Sequence, residues 1–130
     1  MERRVGLTPG AGGTQRLAER AGPARAREFV YTGDLYPAAE LAAWNVVSRV
    51  LPDDGFDDAA RSFARDLAEG PTVAHAATKA IVRAYLEGGV EGADAITGAT
   101  AGGLFATEDL RRAVASFLSE GPGKASFEGR

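Results

Sequence analysis

Gly6-Leu7-Thr8-Pro9-Gly10-Ala11-Gly12-Gly13-Thr14-Gln15-Arg16-Leu17 is the stretch on which the reading of this chain turns. Proline removes a backbone donor, and glycines at 10, 12 and 13 are entropically costly in any regular element. The stretch up to Gly13 is therefore expected as a loop feeding a helix. Such a loop has two uses: its amides can hold an anion or a developing oxyanion at the helix N-terminus, or its glycines can let the backbone pass close to another segment. The spacing matches neither G-x-G-x-x-G nor G-x-x-x-x-G-K-S/T, which argues against a dinucleotide or P-loop site.

Working outward, residues 14–20 are helix formers, and Gly22-Pro23 ends them with Pro23 placed for the first turn of a second helix over 23–31. A short helix over 37–44 follows, and Asn45 stands where a left-handed cap is expected. Val46-Val47-Ser48-Arg49-Val50 reads as the only strand. Phe56, Ala60, Phe63 and Leu67 recur at helical spacing between acids and arginines, which predicts an amphipathic helix. After Gly70-Pro71, Val73, Ala77, Ala80, Ile81 and Ala84 mark another helix that frays at Gly88-Gly89, with a glycine-diluted one beyond it. Thr107-Glu108-Asp109 opens a last helix carrying Leu110, Val114, Phe117 and Leu118 on one side, and Gly121-Pro122-Gly123 stops it. The expected fold is mainly α with one short strand, whose ladder partner lies outside the chain because nothing else here can pair with it.

Composition narrows the function. The 130 residues hold 15 Lys+Arg against 18 Asp+Glu, a net charge of −3, with 45% hydrophobic and 25% charged residues, and no Cys. Positive charge is almost all arginine, interspersed with acids, so no basic stripe exists for nucleic acid. Without cysteine and with only His75, a disulfide framework, a thiol nucleophile and a zinc site lack their residues. No window approaches the roughly 20 apolar residues of a membrane span, and Met1-Glu2-Arg3-Arg4 runs into Thr8-Pro9-Gly10 rather than an apolar signal core. A cytoplasmic protein without nucleic-acid or membrane partners is expected. His75 has no acid or serine at relay spacing and reads as a surface or partly packed histidine. Asp53, Asp54, Asp57 and Asp58 lack the alternation of a calcium loop and suit a helix N-terminus. Trp44 and Tyr31 read as packing aromatics.

The order of several blocks carries more than any one of them: the stretch 6–17, then Tyr31-Thr32-Gly33-Asp34, Ala42-Ala43-Trp44-Asn45-Val46-Val47-Ser48-Arg49-Val50, Phe105-Ala106-Thr107-Glu108-Asp109 and Phe127-Glu128-Gly129-Arg130. In this order they resemble the C-terminal half of the crotonase (enoyl-CoA hydratase/isomerase) family, over nearly the whole chain. The family's domain is about twice this length, a spiral of ββα turns followed by a helical trimerisation region. The resemblance therefore implies that residues 1–52 are the end of the spiral and 53–130 the helical region, and that the strand's partners lie in the preceding half.

The resemblance further implies hydration or double-bond isomerisation of a 2-enoyl-CoA, with CoA entering as part of the substrate and no separate cofactor. An enolate-like oxygen would be held by two backbone amides. Both amides and the first of the hydratase glutamates belong upstream of this segment. The second glutamate falls on Glu2, Pro9 and Gly10 lie beside the acyl chain, and Lys124 approaches the CoA phosphates or adenine. Ala101 and Arg112-Ala113 depart from the family's residues near the adenine. The implied partners are an acyl-CoA and either copies of the chain, as a trimer or hexamer, or a separate N-terminal half. The helices at 56–67 and 107–118 are the expected buried surfaces. The competing reading is a non-catalytic helical assembly module, since a site without its oxyanion donors loses most of its rate advantage.

Overall fold

The computed structural model describes residues 2–130, and among them the chain is mainly helical, with no β-strand. It divides into two compact units, Met1–Phe56 and Asp57–Arg130.

The first unit opens with a 3-10 turn, Glu2–Val5. Gly6 and Leu7 close it by donating to the carbonyls of Arg3 (3.2 Å) and Glu2 (2.9 Å). Helix α1, Gly13–Thr32, follows the glycine-rich loop and ends at Gly33, whose amide donates to the Phe29 carbonyl at 3.1 Å. Gly33 takes φ 64°, the left-handed cap that residues with a Cβ resist. Gly22-Pro23 separates two helical runs within this span, as expected: Gly22 lies at φ 82°, ψ 160°, outside the helical region, and Pro23 supplies no donor, so the runs meet at a kink.

Helix α2, Ala38–Ala43, is closed by Asn45 at φ 62°. Asn45 donates to the Ala42 carbonyl at 3.0 Å and Val46 to that of Leu41 at 2.9 Å. This is the paired closure in which asparagine substitutes for the commoner glycine. Tyr36, just before α2, lies between Phe29 (ring centroids 5.0 Å apart) and Trp44 (4.9 Å) at the end of α2, with the Arg25 guanidinium 4.2 Å above the Trp44 ring. Trp44 (6% exposed) and Ala26 (4%) are the buried apolar residues among those described.

Residues 46–50 correct the sequence reading, because they form bends and irregular backbone instead of a strand. The β-preference of valine is realised only when a neighbouring ladder takes up the backbone N–H and C=O groups, and the described residues contain no second strand.

Helix α3, Phe56–Ala68, has Asp57 and Asp58 in its first turn and Arg65 in its last, each opposing the helix dipole. Its apolar stripe stays open: Phe56, Phe63 and Leu67 are all exposed. Helix α4, Thr72–Leu104, joins the two helices expected on either side of Gly88-Gly89 through a kink, with Gly89 at φ 64°, ψ −158°. Helix α5, Glu108–Glu120, starts on the Thr107 hydroxyl, which accepts from the Leu110 amide at 3.2 Å and donates to the Leu104 carbonyl at 2.7 Å. Gly121 ends it, donating to Phe117 at 3.1 Å. No described helix is long and apolar enough to cross a membrane.

Candidate functional site

In the first unit, a recess of about 210 Å³ opens between the 3-10 turn and the end of α1, lined by Glu2, Arg3, Pro9, Phe29, Gly33 and Asp34 among others. The turn places Glu2 at its rim. Arg3 fixes the turn to α1 by donating from Nη1 to the Thr32 carbonyl at 2.7 Å. Its aliphatic stem lies 3.6 Å from where a Cβ on Gly33 would stand. The Glu2 side chain is exposed, and a hydrogen bond from its own backbone N–H, foremost, holds its carboxyl below the ordinary carboxylate range. Such a group is ionised at neutral pH, although the lowered value makes it a weaker base than an ordinary glutamate.

The loop that follows folds back on itself. Thr14 donates its hydroxyl toward the Pro9 carbonyl at 3.5 Å and lies 3.5 Å from the Thr8 hydroxyl. A Cβ on Gly13 would stand 3.2 Å from the Pro9 Cβ, so the glycine lets the backbone pass close to the proline. That contact leaves Pro9 half-buried at the recess. Gly10 is exposed and is not among its lining residues. Glu2 and Pro9, two of the residues expected at a site, thus line one recess, with Gly10 adjoining in the chain.

Lys124 belongs to the second unit, exposed on the segment after α5. That segment turns back to the start of α5. The amides of Glu128 and Gly129 donate to the two carboxylate oxygens of Asp109 at 2.9 and 2.8 Å, and the Asp109 amide donates to the Arg130 carbonyl at 2.8 Å. Arg112 pairs with Asp109 and, at 3.2 Å, with Glu128, while Arg130 pairs with Glu108 at 3.3 Å and also with Glu128. Asp109 is only 4% exposed. The Glu128 amide first, then the Gly129 amide and the Arg112 guanidinium, hold its carboxyl below the ordinary aspartate range against the opposing effect of burial. Phe127 reaches an apolar recess of about 200 Å³ shared with Val73, Ala74, Leu104, Leu110 and Ala113.

This clamp is what sequence reasoning missed. Asp109 was placed as an acid favouring a helix N-terminus, and Arg112-Ala113 as a departure near the adenine. In the fold Arg112 completes the clamp and Ala113 lines the recess beside Phe127. His75 is half-buried on α4, its Cε1 2.9 Å from where a Cβ on Gly70 would stand. Among the described residues no group of three or more His, Cys, Asp or Glu could hold a metal.

Comparison with known proteins identifies the relatives. The enoyl-CoA hydratase/isomerase family model matches residues 1–130. A protein named probable enoyl-CoA hydratase, from Rhodobacter capsulatus, is 34% identical over 127 residues, covering 98% of this chain and 49% of that protein. The crotonyl-CoA hydratase of Syntrophomonas wolfei is 32% identical over 124 residues, 95% of this chain and 46% of that one. The crystal structure of an enoyl-CoA hydratase subunit I from Geobacillus kaustophilus matches at a TM-score of 0.88 and 32% identity, over 99% of this chain and 49% of that chain. The chain spans about half the length of the relatives it matches. With the family model matched from its first residue to its last, the chain belongs to the enoyl-CoA hydratase/isomerase, or crotonase, family.

Proposed function

We propose that this chain is the C-terminal half of a catalyst acting on an acyl-CoA thioester, by hydration or double-bond isomerisation of a 2-enoyl-CoA. The observation that carries the reading is the shared recess of Glu2 and Pro9, a carboxylate set beside an apolar wall. In hydration, the Glu2 carboxylate takes a proton from water as the water oxygen bonds to the β-carbon. The electron pair of the double bond shifts toward the thioester carbonyl to give an enolate, whose α-carbon then takes the proton back from the Glu2 carboxyl, so that one water is added and Glu2 is again a carboxylate. Pro9 and Gly10 lie against the acyl chain, and Lys124 meets the CoA phosphates. CoA comes as part of the substrate. The backbone donors for the oxyanion are assigned to the half of the family's domain outside these 130 residues, since that charge needs fixed donors to form at a useful rate.

A second reading, a non-catalytic assembly module, is favoured by the open apolar surface: Leu35 is 98% and Leu118 79% exposed. Both readings call for association, as a trimer or hexamer or with a separate N-terminal half. They part on turnover. In the assembly purified from its own cells through a tag on this chain, crotonyl-CoA hydration is followed by loss of the conjugated thioester's absorbance. Glu2→Gln is expected to slow it at least about a hundredfold. An unchanged rate in that variant removes Glu2 from the chemistry, and absence of hydration from the tagged assembly favours the module.

A further inference from the structure

The segment carrying Lys124 is fixed at both ends. At one end Gly121 (φ 87°) donates to the Phe117 carbonyl at 3.1 Å, and Gly123 (φ 76°) makes the next bend, both in the left-handed region that side chains resist. At the other end Phe127 enters its apolar recess, and the amides of Glu128 and Gly129 are held by Asp109 at 2.9 and 2.8 Å. Lys124 stands between these anchors with its side chain exposed. A lysine on a free tail pays for ordering backbone and side chain each time it meets a ligand, whereas here the backbone share is already met in the fold.

We propose that Asp109 is a positioning residue for Lys124: by docking residues 128 and 129 its carboxylate sets where the lysine ammonium is offered to the phosphates of a CoA thioester. The proposal rests on the phosphate-contact reading of Lys124 given above. Asp109 itself touches no ligand; it acts through the segment. Arg112, paired with both Asp109 and Glu128, closes the clamp. Gly129 allows an independent perturbation that keeps the carboxylate. It sits at φ 76°, and a Cβ there would come within 2.9 Å of the Thr72 hydroxyl oxygen.

The test titrates the 130-residue chain calorimetrically with crotonyl-CoA as wild type, Lys124→Ala, Asp109→Ala, Gly129→Ala and the Asp109→Ala/Lys124→Ala double variant. Amide exchange at Glu128 and Gly129 is followed in parallel. Asp109→Ala and Gly129→Ala are expected to speed exchange at both amides and to weaken binding about as much as Lys124→Ala, roughly fivefold to tenfold. The double variant is expected to bind no more weakly than Lys124→Ala alone. Wild-type affinity in Asp109→Ala, or losses that multiply in the double variant, overturns the positioning role while leaving the Lys124 contact standing. Wild-type affinity in Lys124→Ala overturns that contact, and the positioning role with it. Should Asp109→Ala lose helical circular dichroism, Gly129→Ala decides by the same comparison with Lys124→Ala.

Discussion

Asp109 and Gly129 stand twenty residues apart in the chain and meet at 2.8 Å, carboxylate to amide. This contact turns two separate sequence blocks, 107–109 and 127–130, into one structure at the start of α5. A carboxylate that accepts backbone amides in the folded state has a depressed pKa, as Asp109 does. Its stabilising effect is complete above the unfolded value and is lost as pH falls through the folded one. Around this contact Arg112 pairs with Glu128, and Arg130 pairs with Glu108 and Glu128. The amide chemical shifts of Glu128 and Gly129 are therefore expected to titrate below the ordinary aspartate range. A midpoint inside that range contradicts the clamp.

The first unit's small core makes Trp44 its critical side chain. Trp44 packs on Tyr36 and under Arg25 while 6% exposed, so truncation removes an aromatic contact and a cation–π contact together. Trp44→Ala is expected to cost about 3–5 kcal/mol, read by circular dichroism in chemical denaturation. A cost under about 1 kcal/mol would show that the aromatic cluster does not organise the unit.

The Thr107 hydroxyl satisfies one of the amides that α5 leaves open at its start. Thr107→Ala is expected to lower stability by about 1 kcal/mol, with Thr107→Ser keeping most of it. Equal losses in both variants would place the effect elsewhere than in the cap.

Association is the expectation that the exposed faces raise. On α5, Val114, Phe117 and Leu118 are 50%, 59% and 79% exposed and, three and four residues apart, share one helix face. Sedimentation is expected to show an assembly, and Leu118→Glu to shift it toward smaller species. A wild-type monomer, soluble and cooperative in thermal unfolding, would remove this face as an interface.

What was legible in the sequence follows the range of the forces involved. Thr107 before two acids announced a helix start, and Asn45 after alanines announced a left-handed cap, because both effects act within one turn. Gly22-Pro23 and Gly88-Gly89 read as helix ends, and at each the backbone leaves the helical region where two helical runs meet at a kink. A glycine at positive φ redirects the axis, yet the hydrogen-bonded run resumes at once beyond it. Residues 46–50 read as a strand because valines carry β-preference, whereas a ladder depends on residues elsewhere. Asp109 was illegible for the same reason: its amide partners arrive nineteen and twenty residues later, and no periodicity links them. At the candidate site, family resemblance placed Glu2 and Pro9. The wall they share with Phe29 and Gly33 is formed only when α1 brings its far end back to the 3-10 turn.

The most direct measurement is a calorimetric titration of the 130-residue chain with crotonyl-CoA, using crotonate without CoA as the control. Saturable binding to the thioester, absent for crotonate and weakened in Lys124→Ala, is the predicted result. A chain that keeps its helical circular dichroism and gives no saturable heat with crotonyl-CoA would contradict the proposal that these residues form part of an acyl-CoA site.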